Sequence, residues 1–476
     1  MTMIARRNFL QLAAAAAASP LLRGDVAPYH EIYRPQFHFT PKTGWTNDPN
    51  GLLWYQGEYH LFFQHNPFDT KWGNMTWGHA ISPDLVHWRQ MENALLPDQM
   101  GTMFSGSGIV DTANTAGLQK GSEKTLVVFY TAAGGTSDES KGQPYTQCMA
   151  YSNDRGRTWT KYAGNPVVSN IAPGNRDPKV VWHAPTRKWI MVMYLSTGGA
   201  FRFLSSPDLK TWTKLQDISV PDCGECPDFF EIPVEGEPGE TRWVWTCASD
   251  RYLVGTFDGL RFIPEVMTQP GHHGQNYYAV QTYSNIPGGR RIQLGWMNKA
   301  VYPGMPFNQQ MSFPYELRLK RFPYTLKLCS LPAKEIELLH EPPQTWSNLD
   351  LDPGANPLSG LSGDLWDIHA EIDPGEASEV GFRIRGRKVS YTVKPKEKRL
   401  YNGEESVAIT PPASGHLGLR ILVDRTSVEV FANDGEWIMP SCFVPKPEDQ
   451  SLALFATGGR ARVLNLRIHR VKSIWP

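Results

Sequence analysis

The sequence predicts an all-β protein, a five-bladed β-propeller over residues 30–330 followed by a C-terminal β-sandwich over residues 344–476. Short β-rich runs bounded by Gly, Pro, Asn and Asp recur throughout, while helical periodicity is almost absent. A weak internal repeat recurs at roughly 55 to 70 residues, a spacing that fits four-stranded propeller blades. The chain of 476 residues also exceeds what one hydrophobic core usually organises.

The first residues differ from the rest of the chain. Arg6 and Arg7 are followed by Asn-Phe-Leu and by an alanine-rich stretch that ends near Pro20. This order is typical of an export signal of the twin-arginine type, over residues 1–25, whereas an ordinary amphipathic helix would leave the arginine pair unexplained. We therefore expect an exported protein, periplasmic or extracellular. No apolar run is long enough to predict a membrane span.

The repeat indicates where the blades lie. Its three copies are Ser82-Pro-Asp-Leu-Val-His-Trp88, Ser152-Asn-Asp-Arg-Gly-Arg-Thr-Trp159 and Ser206-Pro-Asp-Leu-Lys-Thr-Trp212. We expect each copy to form a turn near the end of a blade, with its Trp packed against the next blade. The segment up to about residue 324 then has room for about five blades.

A single helical fragment, 333–341, lies in the predicted linker 331–343. Beyond it, apolar and polar residues alternate over 417–423 and 464–469, the pattern of half-buried strands. Asn433-Asp434-Gly435 follows one such run and predicts a hairpin turn. These signals predict the β-sandwich.

Composition narrows the classes of partner. Lys plus Arg and Asp plus Glu both number 47, so no net field favours nucleic acid or an anionic membrane. Aromatic residues make up 12%, and their flat faces suit sugar rings as well as core packing. Trp77 and Trp296 could equally serve a blade core.

The six cysteines are too sparse for a disulfide framework. Cys223 and Cys226 form one C-x-x-C, but a zinc site would need a second pair or histidines at ligand spacing. We expect both to be thiols, because a disulfide across this short loop would constrain Glu225 between them. The sequence predicts no metal and no cofactor.

Three acidic residues lie in turn-rich contexts at the edges of predicted strands: Asp48, Asp177 and Glu225. Taken alone, each would be an ordinary turn residue, and Asp before Pro, as at 48 and 177, is a common turn former. Their surroundings change that interpretation. The motifs that contain or flank them are Trp45-Thr-Asn-Asp-Pro-Asn-Gly51, Phe62-Phe-Gln-His-Asn-Pro67, Trp72-Gly-Asn-Met-Thr-Trp-Gly-His79, Phe104-Ser-Gly-Ser107, Arg176-Asp-Pro178 and Glu225-Cys-Pro-Asp228.

With these motifs in this order, the chain resembles glycoside hydrolase family 32, the invertases, inulinases and levanases, over nearly all of its length. The resemblance implies a five-bladed propeller followed by a β-sandwich. It also implies Asp48 as nucleophile, Glu225 as general acid/base and Asp177 as the residue that stabilises the transition state. The positions that match the family's fructose pocket are Asn47, Gln64, Trp72, Phe104, Ser105 and Arg176. A retaining mechanism needs the two reacting carboxyl groups about 5 to 5.5 Å apart.

The resemblance implies an enzyme that releases terminal fructose from fructose-containing oligo- or polysaccharides such as levan and inulin, and sucrose fits the same pocket. A fructosyltransferase would use the same covalent intermediate, and a non-catalytic fructan-binding protein would normally have lost a carboxylate. The sequence departs from the family pattern at Gly224 and at 307–311, where many relatives carry Trp. These departures leave the substrate preference open, and the sequence indicates neither the preferred linkage nor the oligomeric state.

Overall fold

The structure, a computed structural model, describes residues 27–394 and 397–475. The predicted export signal, residues 1–25, lies outside the described residues. Within them, no helix has the length and apolar character needed to cross a membrane.

Five antiparallel sheets of four main strands each follow one another along the first part of the chain. In chain order the strands are β1 (Gly44–Tyr55), β2 (Glu58–Asn66), β3 (Thr76–Ser82) and β4 (Arg89–Gln90) in the first sheet; β5 (Thr102–Asp111), β6 (Thr125–Ala133), β7 (Thr146–Ser152) and β8 (Thr160–Lys161) in the second; β9 (Arg176–His183), β10 (Lys188–Leu195), β11 (Ala200–Ser206) and β12 (Thr213–Ser219) in the third. The fourth has β13 (Asp228–Pro233), β14 (Thr241–Thr246), β15 (Arg251–Phe257) and β16 (Phe262–Pro264), with the short β17 (Gln269–Pro270) paired to β15. The fifth has β18 (Tyr278–Thr282), β19 (Arg291–Trp296), β21 (Tyr315–Phe322) and β22 (Thr325–Pro332), while β20 (Phe307–Asn308) pairs parallel with β1 of the first sheet.

These sheets are the five blades of a β-propeller. Their innermost strands, β1, β5, β9, β13 and β18, contact one another around a common axis. They begin at the same end of that axis because consecutive blades repeat one up-and-down order. Residues near the starts of these five strands therefore converge on one mouth of the propeller.

The internal repeat coincides with the turn between the third and fourth strands of the first three blades, as predicted. Its Ser hydroxyl bonds to its Asp carboxylate in each copy, for example at 2.6 Å between Ser152 and Asp154. The predicted direction of Trp packing was wrong. Trp159 lies edge-on to Phe62 of the preceding blade at 5.2 Å between ring centroids, and Trp212 packs in the same way on Phe129. Each of these two Trp side chains therefore packs in the interface between its own blade and the preceding one.

A 3-10 helix, Lys334–Leu339, follows the propeller within the segment where a helical fragment was predicted; another, Pro287–Gly289, lies between β18 and β19. Two sheets then pack face to face around one apolar core. Their strands are β23 (Gln344–Leu351), β24 (Trp366–Asp373), β25 (Glu379–Ile384), β26 (Arg387–Lys394), β27 (Glu397–Asn402), β28 (Glu405–Ala408), β29 (Leu417–Asp424), β30 (Ser427–Ala432), β31 (Trp437–Cys442), β32 (Leu452–Thr457) and β33 (Ala461–Arg470). The predicted hairpin is confirmed, since Asn433, Asp434 and Gly435 have positive φ angles between β30 and β31.

Candidate active site

One cavity of about 210 Å³ opens where the inner strands begin. Its lining includes every residue that the sequence selected, and three that it did not. The lining residues are Asn47, Asp48, Gln64, Trp72, Phe104, Ser105, Arg176, Asp177, Glu225, Cys226, Tyr278 and Trp296. The structure therefore brings all nine predicted site residues together.

The strands that deliver these side chains lose their regular pairing at the site. The β1/β2 ladder shifts between Thr46 and Pro49, on either side of Asp48, and the β5/β6 ladder shifts at Ser105. Pro49 and Pro178 each follow a site carboxylate and cannot donate a ladder hydrogen bond. Bulges of this kind turn a side chain out of the sheet, and here they turn it into the cavity.

Asp48 receives hydrogen bonds on both carboxylate oxygens. Ser105 Oγ donates to Oδ2 at 2.5 Å, and Asn47 Nδ2 donates to Oδ1 at 3.1 Å. Burial raises the pKa of the Asp48 carboxyl, while these two bonds act in the opposite direction and favour the ionised form. Trp45 in turn fixes Asn47, because its indole Nε1 donates to the Asn47 amide oxygen at 2.8 Å.

Glu225 lies in the loop before β13, held between two donors from other blades. Arg176 Nη2 donates to Oε1 and the Tyr278 hydroxyl donates to Oε2, both at 2.8 Å. The Glu225 side chain is nevertheless 39% exposed, so a molecule in the cavity can reach it. Glu225 and Cys226 have φ angles of 56° and 37°, a conformation that costs energy for residues other than Gly and often occurs at functional sites.

Asp177 is buried beside both other carboxylates. Its Oδ2 accepts the Cys226 backbone N–H at 2.9 Å and lies 3.7 Å from Arg176 Nε. Burial raises the pKa of Asp177 to about 7, against the opposing attraction of Arg176. Its φ angle of 63° is also left-handed, and its side chain lines the cavity.

The remaining predicted residues form the wall. Gln64 is buried, and its side-chain Nε2 has no hydrogen-bond partner among the described residues, so it can donate to a bound molecule. Trp72 is 55% exposed and lies edge-on to Phe104, which lies edge-on to Tyr145. The wall thus combines a free amide donor with aromatic faces, the combination that binds sugar rings.

The sequence did not select Cys226, Tyr278 or Trp296 as site residues. Cys226 was visible inside its motif, but only the fold places its Sγ 3.5 Å from Asp48 Oδ2. Tyr278 and Trp296 lie edge-on to each other on paired strands of the fifth blade, at 6.3 Å between ring centroids. Trp77, in contrast, is fully buried in the apolar interface between the first and second blades.

The thiol prediction was right for Cys226 and wrong for Cys223. Cys226 is a buried free cysteine, whereas Cys223 forms a disulfide with Cys247 at the end of β14. The partner is 24 residues away and comes close only because the Glu225 loop folds over that strand end. Among residues 27–394 and 397–475, no group of three His, Cys, Asp or Glu side chains is arranged to hold a metal ion.

The family models match in two consecutive parts. The Glycosyl hydrolases family 32 N-terminal domain matches residues 38–332, and the family 32 C-terminal model matches residues 335–470. The chain belongs to glycosyl hydrolase family 32. Both halves of the resemblance seen in the motifs are thereby confirmed.

Individual members of family 32 are similar over most of the chain. The levanase of Bacillus subtilis (strain 168) is 40% identical over 502 residues, which cover 95% of this chain and 72% of that protein. The extracellular exo-inulinase of Aspergillus awamori is 30% identical over 530 residues, 94% of this chain and 96% of that protein. The crystal structure of exo-inulinase from Aspergillus awamori has a TM-score of 0.86 at 29% identity, and covers 94% of this chain and 100% of that one.

Proposed function

We propose that this family 32 chain releases terminal fructose from β-fructans and sucrose by a retaining double displacement. It is a glycosidase that acts on fructosides, in agreement with its similarity to a levanase and to an exo-inulinase. The observation that supports the mechanism best is the pairing of two carboxyl groups in one cavity with different surroundings. Asp48 accepts hydrogen bonds from Ser105 and Asn47, while Glu225 is held by Arg176 and Tyr278 and has a side chain that is 39% exposed.

In the first step, Glu225 donates its proton to the glycosidic oxygen while Asp48 attacks the anomeric carbon of the fructosyl residue. The bond to the leaving sugar breaks, and a covalent fructosyl–Asp48 ester forms. Protonation is necessary because a sugar alkoxide is a poor leaving group. Asp48 must be ionised to attack, which the hydrogen bonds from Ser105 and Asn47 favour.

In the second step, Glu225 takes a proton from water, and the resulting hydroxide attacks the same carbon and releases Asp48. The configuration is retained because two inversions occur. Asp177 stabilises the positively charged, oxocarbenium-like transition state and binds fructose hydroxyls. Its fixed contact with the Cys226 N–H keeps its carboxyl beside the other two.

The size of the cavity supports attack at chain ends. Its volume of about 210 Å³ is below the range of about 300–1,000 Å³ typical of sites for drug-sized ligands, so it suits a single sugar ring. The free Nε2 of Gln64 and the guanidinium of Arg176 supply directional donors, and Trp72 and Phe104 supply an apolar wall. Asn47 and Ser105 complete the set of groups that we propose contact the terminal fructose.

We also propose that residues 331–343 link the two domains. Family matches that end at residue 332 and resume at residue 335 support this division.

We further propose that residues 1–25 export the enzyme by the twin-arginine route to the periplasm or the exterior. The similarity to an extracellular enzyme supports export. Replacing Arg6 and Arg7 together by Lys should block export, so that the enzyme activity is found in the cytoplasm, because that route recognises the arginine pair. Normal activity outside the cytoplasm in this variant would contradict the route.

The function is tested by incubating the purified chain with levan, inulin and sucrose and separating the products over time. We expect free fructose from the first samples onward, and no release by Asp48→Asn, which cannot form the intermediate. Mainly longer oligosaccharides would show transfer to sugar acceptors, and binding without any product would show a non-catalytic fructan-binding protein. Either outcome would overturn the proposal.

A further inference from the structure

We propose that the buried ion pair between Lys179 and Asp228 is a positioning pair for Glu225. It sets the distance between the acid/base and its two donors, Arg176 and Tyr278. The inference rests on the proposed function, because it gives these two residues a task in the same reaction. Neither residue lines the cavity.

The pair joins three blades through one charged contact. Lys179 on β9 places Nζ 2.9 Å from Asp228 Oδ1 on β13, and donates to the Thr282 carbonyl on β18, also at 2.9 Å. The Asp228 carboxylate in turn accepts the backbone N–H of Thr282 at 2.5 Å and that of Phe229 at 2.6 Å. Lys179 and Asp228 are only 3% and 0% exposed.

Besides this pair, the three strands are linked at Glu225 itself, through Arg176 and Tyr278, and through the Cys226 N–H bond to Asp177. β9, β13 and β18 belong to three different sheets, and no backbone ladder joins any two of them among the described residues. The relative position of these three strands thus depends on contacts between side chains near the propeller axis. Lys179 and Asp228 supply donors and acceptors of fixed direction there, which aliphatic packing does not.

The same strands carry the contacts of Glu225. β9 begins with Arg176, whose guanidinium holds Oε1, and β18 begins with Tyr278, whose hydroxyl holds Oε2. β13 begins with Asp228 itself, three residues after Glu225. A shift of any one strand against the other two therefore changes a 2.8 Å contact at the acid/base.

Stability alone does not require an ion pair at this place. Replacing a buried pair by apolar residues of similar volume is often neutral or stabilising, whereas removing one partner leaves a costly unpaired charge. The double variant Lys179→Met with Asp228→Leu therefore separates positioning from folding. Because Asp228→Leu also removes the acceptor of the Thr282 and Phe229 N–H groups, we expect the double variant to fold with a lower melting temperature. The comparison of two substrates, which a uniform loss of folded enzyme leaves unchanged, isolates positioning.

The readout is the ratio of kcat/KM for sucrose to kcat/KM for fructosyl fluoride. Sucrose needs a proton from Glu225 to leave, whereas fluoride leaves with little proton assistance. We expect kcat/KM for sucrose to fall by about 100-fold in the double variant, since misplacement by about 1 Å can cost that much. With fructosyl fluoride we expect a fall of less than about 10-fold.

The control removes an ion pair in the sandwich, away from the cavity, Arg420→Met with Asp367→Leu, whose partners lie 2.7 Å apart and whose Asp367 also contacts His340 and His369. Its substrate ratio should equal that of the wild type. A wild-type ratio in the Lys179/Asp228 variant, or an equal loss on both substrates, would overturn the inference. If the double variant does not fold, Lys179→Gln with Asp228→Asn, which keeps polar side chains and removes both charges, undergoes the same comparison with the same criteria.

Glu225→Ala, measured in parallel, distinguishes this inference from the proposed function. It should lose sucrose turnover selectively whatever Lys179 does. If Glu225→Ala hydrolyses sucrose like the wild type, the proposed role of Glu225 fails. If Glu225→Ala behaves as expected and the Lys179/Asp228 variant keeps its ratio, only the positioning role fails.

Discussion

At the scale of single residues, the site works through the surroundings of its carboxyl groups. The Ser105 hydroxyl and the Asn47 amide both donate to Asp48 and oppose the effect of burial on its pKa. Asp177 has no hydroxyl donor and accepts a backbone N–H, and burial raises its pKa to about 7. Burial thus acts on both carboxyl groups, but Asp48 has two side-chain donors that favour its ionised form, as a nucleophile requires.

Ser105→Ala should therefore impair Asp48 most strongly in acid. Removing a donor to the ionised carboxylate raises the pKa of Asp48 further, so the acidic limb of the kcat/KM profile moves to higher pH. A hydrogen bond to a charged group is worth about 1.5–3 kcal/mol, which corresponds to a loss of about 10- to 100-fold. The measurement is kcat/KM for sucrose from pH 3 to pH 8, an interval that spans roughly the usual carboxyl range.

Ser107→Ala is the matched control on the same strand, because the Ser107 hydroxyl donates to the Pro178 carbonyl and to no carboxylate. Its acidic limb should coincide with that of the wild type. An unmoved limb in Ser105→Ala would show that this hydroxyl does not tune Asp48.

The site residues that lie in distinctive sequence motifs could be predicted, whereas those that reach the cavity only through the packing of blades could not. Asp48, Asp177 and Glu225 stand in motifs rich in Pro, Gly and Asn, which mark the irregular backbone that the cavity requires. Tyr278 has neither Pro nor Gly beside it in the sequence, and it reaches Glu225 only because the fifth blade adjoins the fourth. No residue next to it in the sequence reports that contact.

At the scale of elements, the loop that carries Glu225 is fixed from several sides. The Cys223–Cys247 disulfide ties its start to the end of β14, and the Ala248 N–H donates to the Glu225 carbonyl at 3.1 Å. The Cys226 N–H binds Asp177 at its other end. Spacing in the sequence showed the C-x-x-C of Cys223 and Cys226. It did not show that Cys247 is the partner of Cys223, because Cys247 follows a strand 24 residues further along the chain.

Replacing Cys223 and Cys247 together by Ser should lower the free energy of unfolding by about 2–4 kcal/mol, the usual contribution of a disulfide that closes a loop of this order. Urea unfolding measures the difference, with Cys329→Ser, a buried free cysteine, as the control for introducing a hydroxyl. Peptide mapping without reductant should recover Cys223 linked to Cys247 and Cys226 alkylated after unfolding. Recovery of Cys223 as a free thiol would contradict the pairing.

At the scale of the whole molecule, a buried histidine joins the propeller to the sandwich. His38, just before the first blade, places Nδ1 2.8 Å from Asp424 and Nε2 2.6 Å from Glu429, on β29 and β30. The backbone N–H groups of Gln36 and Phe37 also donate to Asp424. The alternation in 417–423 predicted the strand. The role of Asp424 and Glu429 could not be predicted, because their partner His38 lies in the other domain.

This junction predicts a loss of stability in mild alkali. Burial opposes protonation, but the carboxylates of Glu429 and Asp424 outweigh it and raise the pKa of His38 to about 9, from 6.5. The stabilisation is complete below about pH 6.5 and is lost as the pH rises through about 9, because the unfolded chain releases the proton first. The difference in pKa corresponds to about 3 kcal/mol.

Chemical unfolding from pH 6 to pH 10 should show this decline in the wild type and a flatter profile in His38→Gln over the same interval. The glutamine keeps a polar side chain at the junction but cannot carry the charge. Equal slopes in the two proteins would contradict a charged His38.

The central claim is the division of labour between Asp48 and Glu225, and azide rescue tests it most directly. In Glu225→Ala, fructosyl fluoride should still form the intermediate, and added azide should accelerate its breakdown, because azide needs no general base. We expect fructosyl azide of retained configuration from Glu225→Ala and no product from Asp48→Asn. Rescue of Asp48→Asn by azide, or an inverted product from the wild type, would contradict the account.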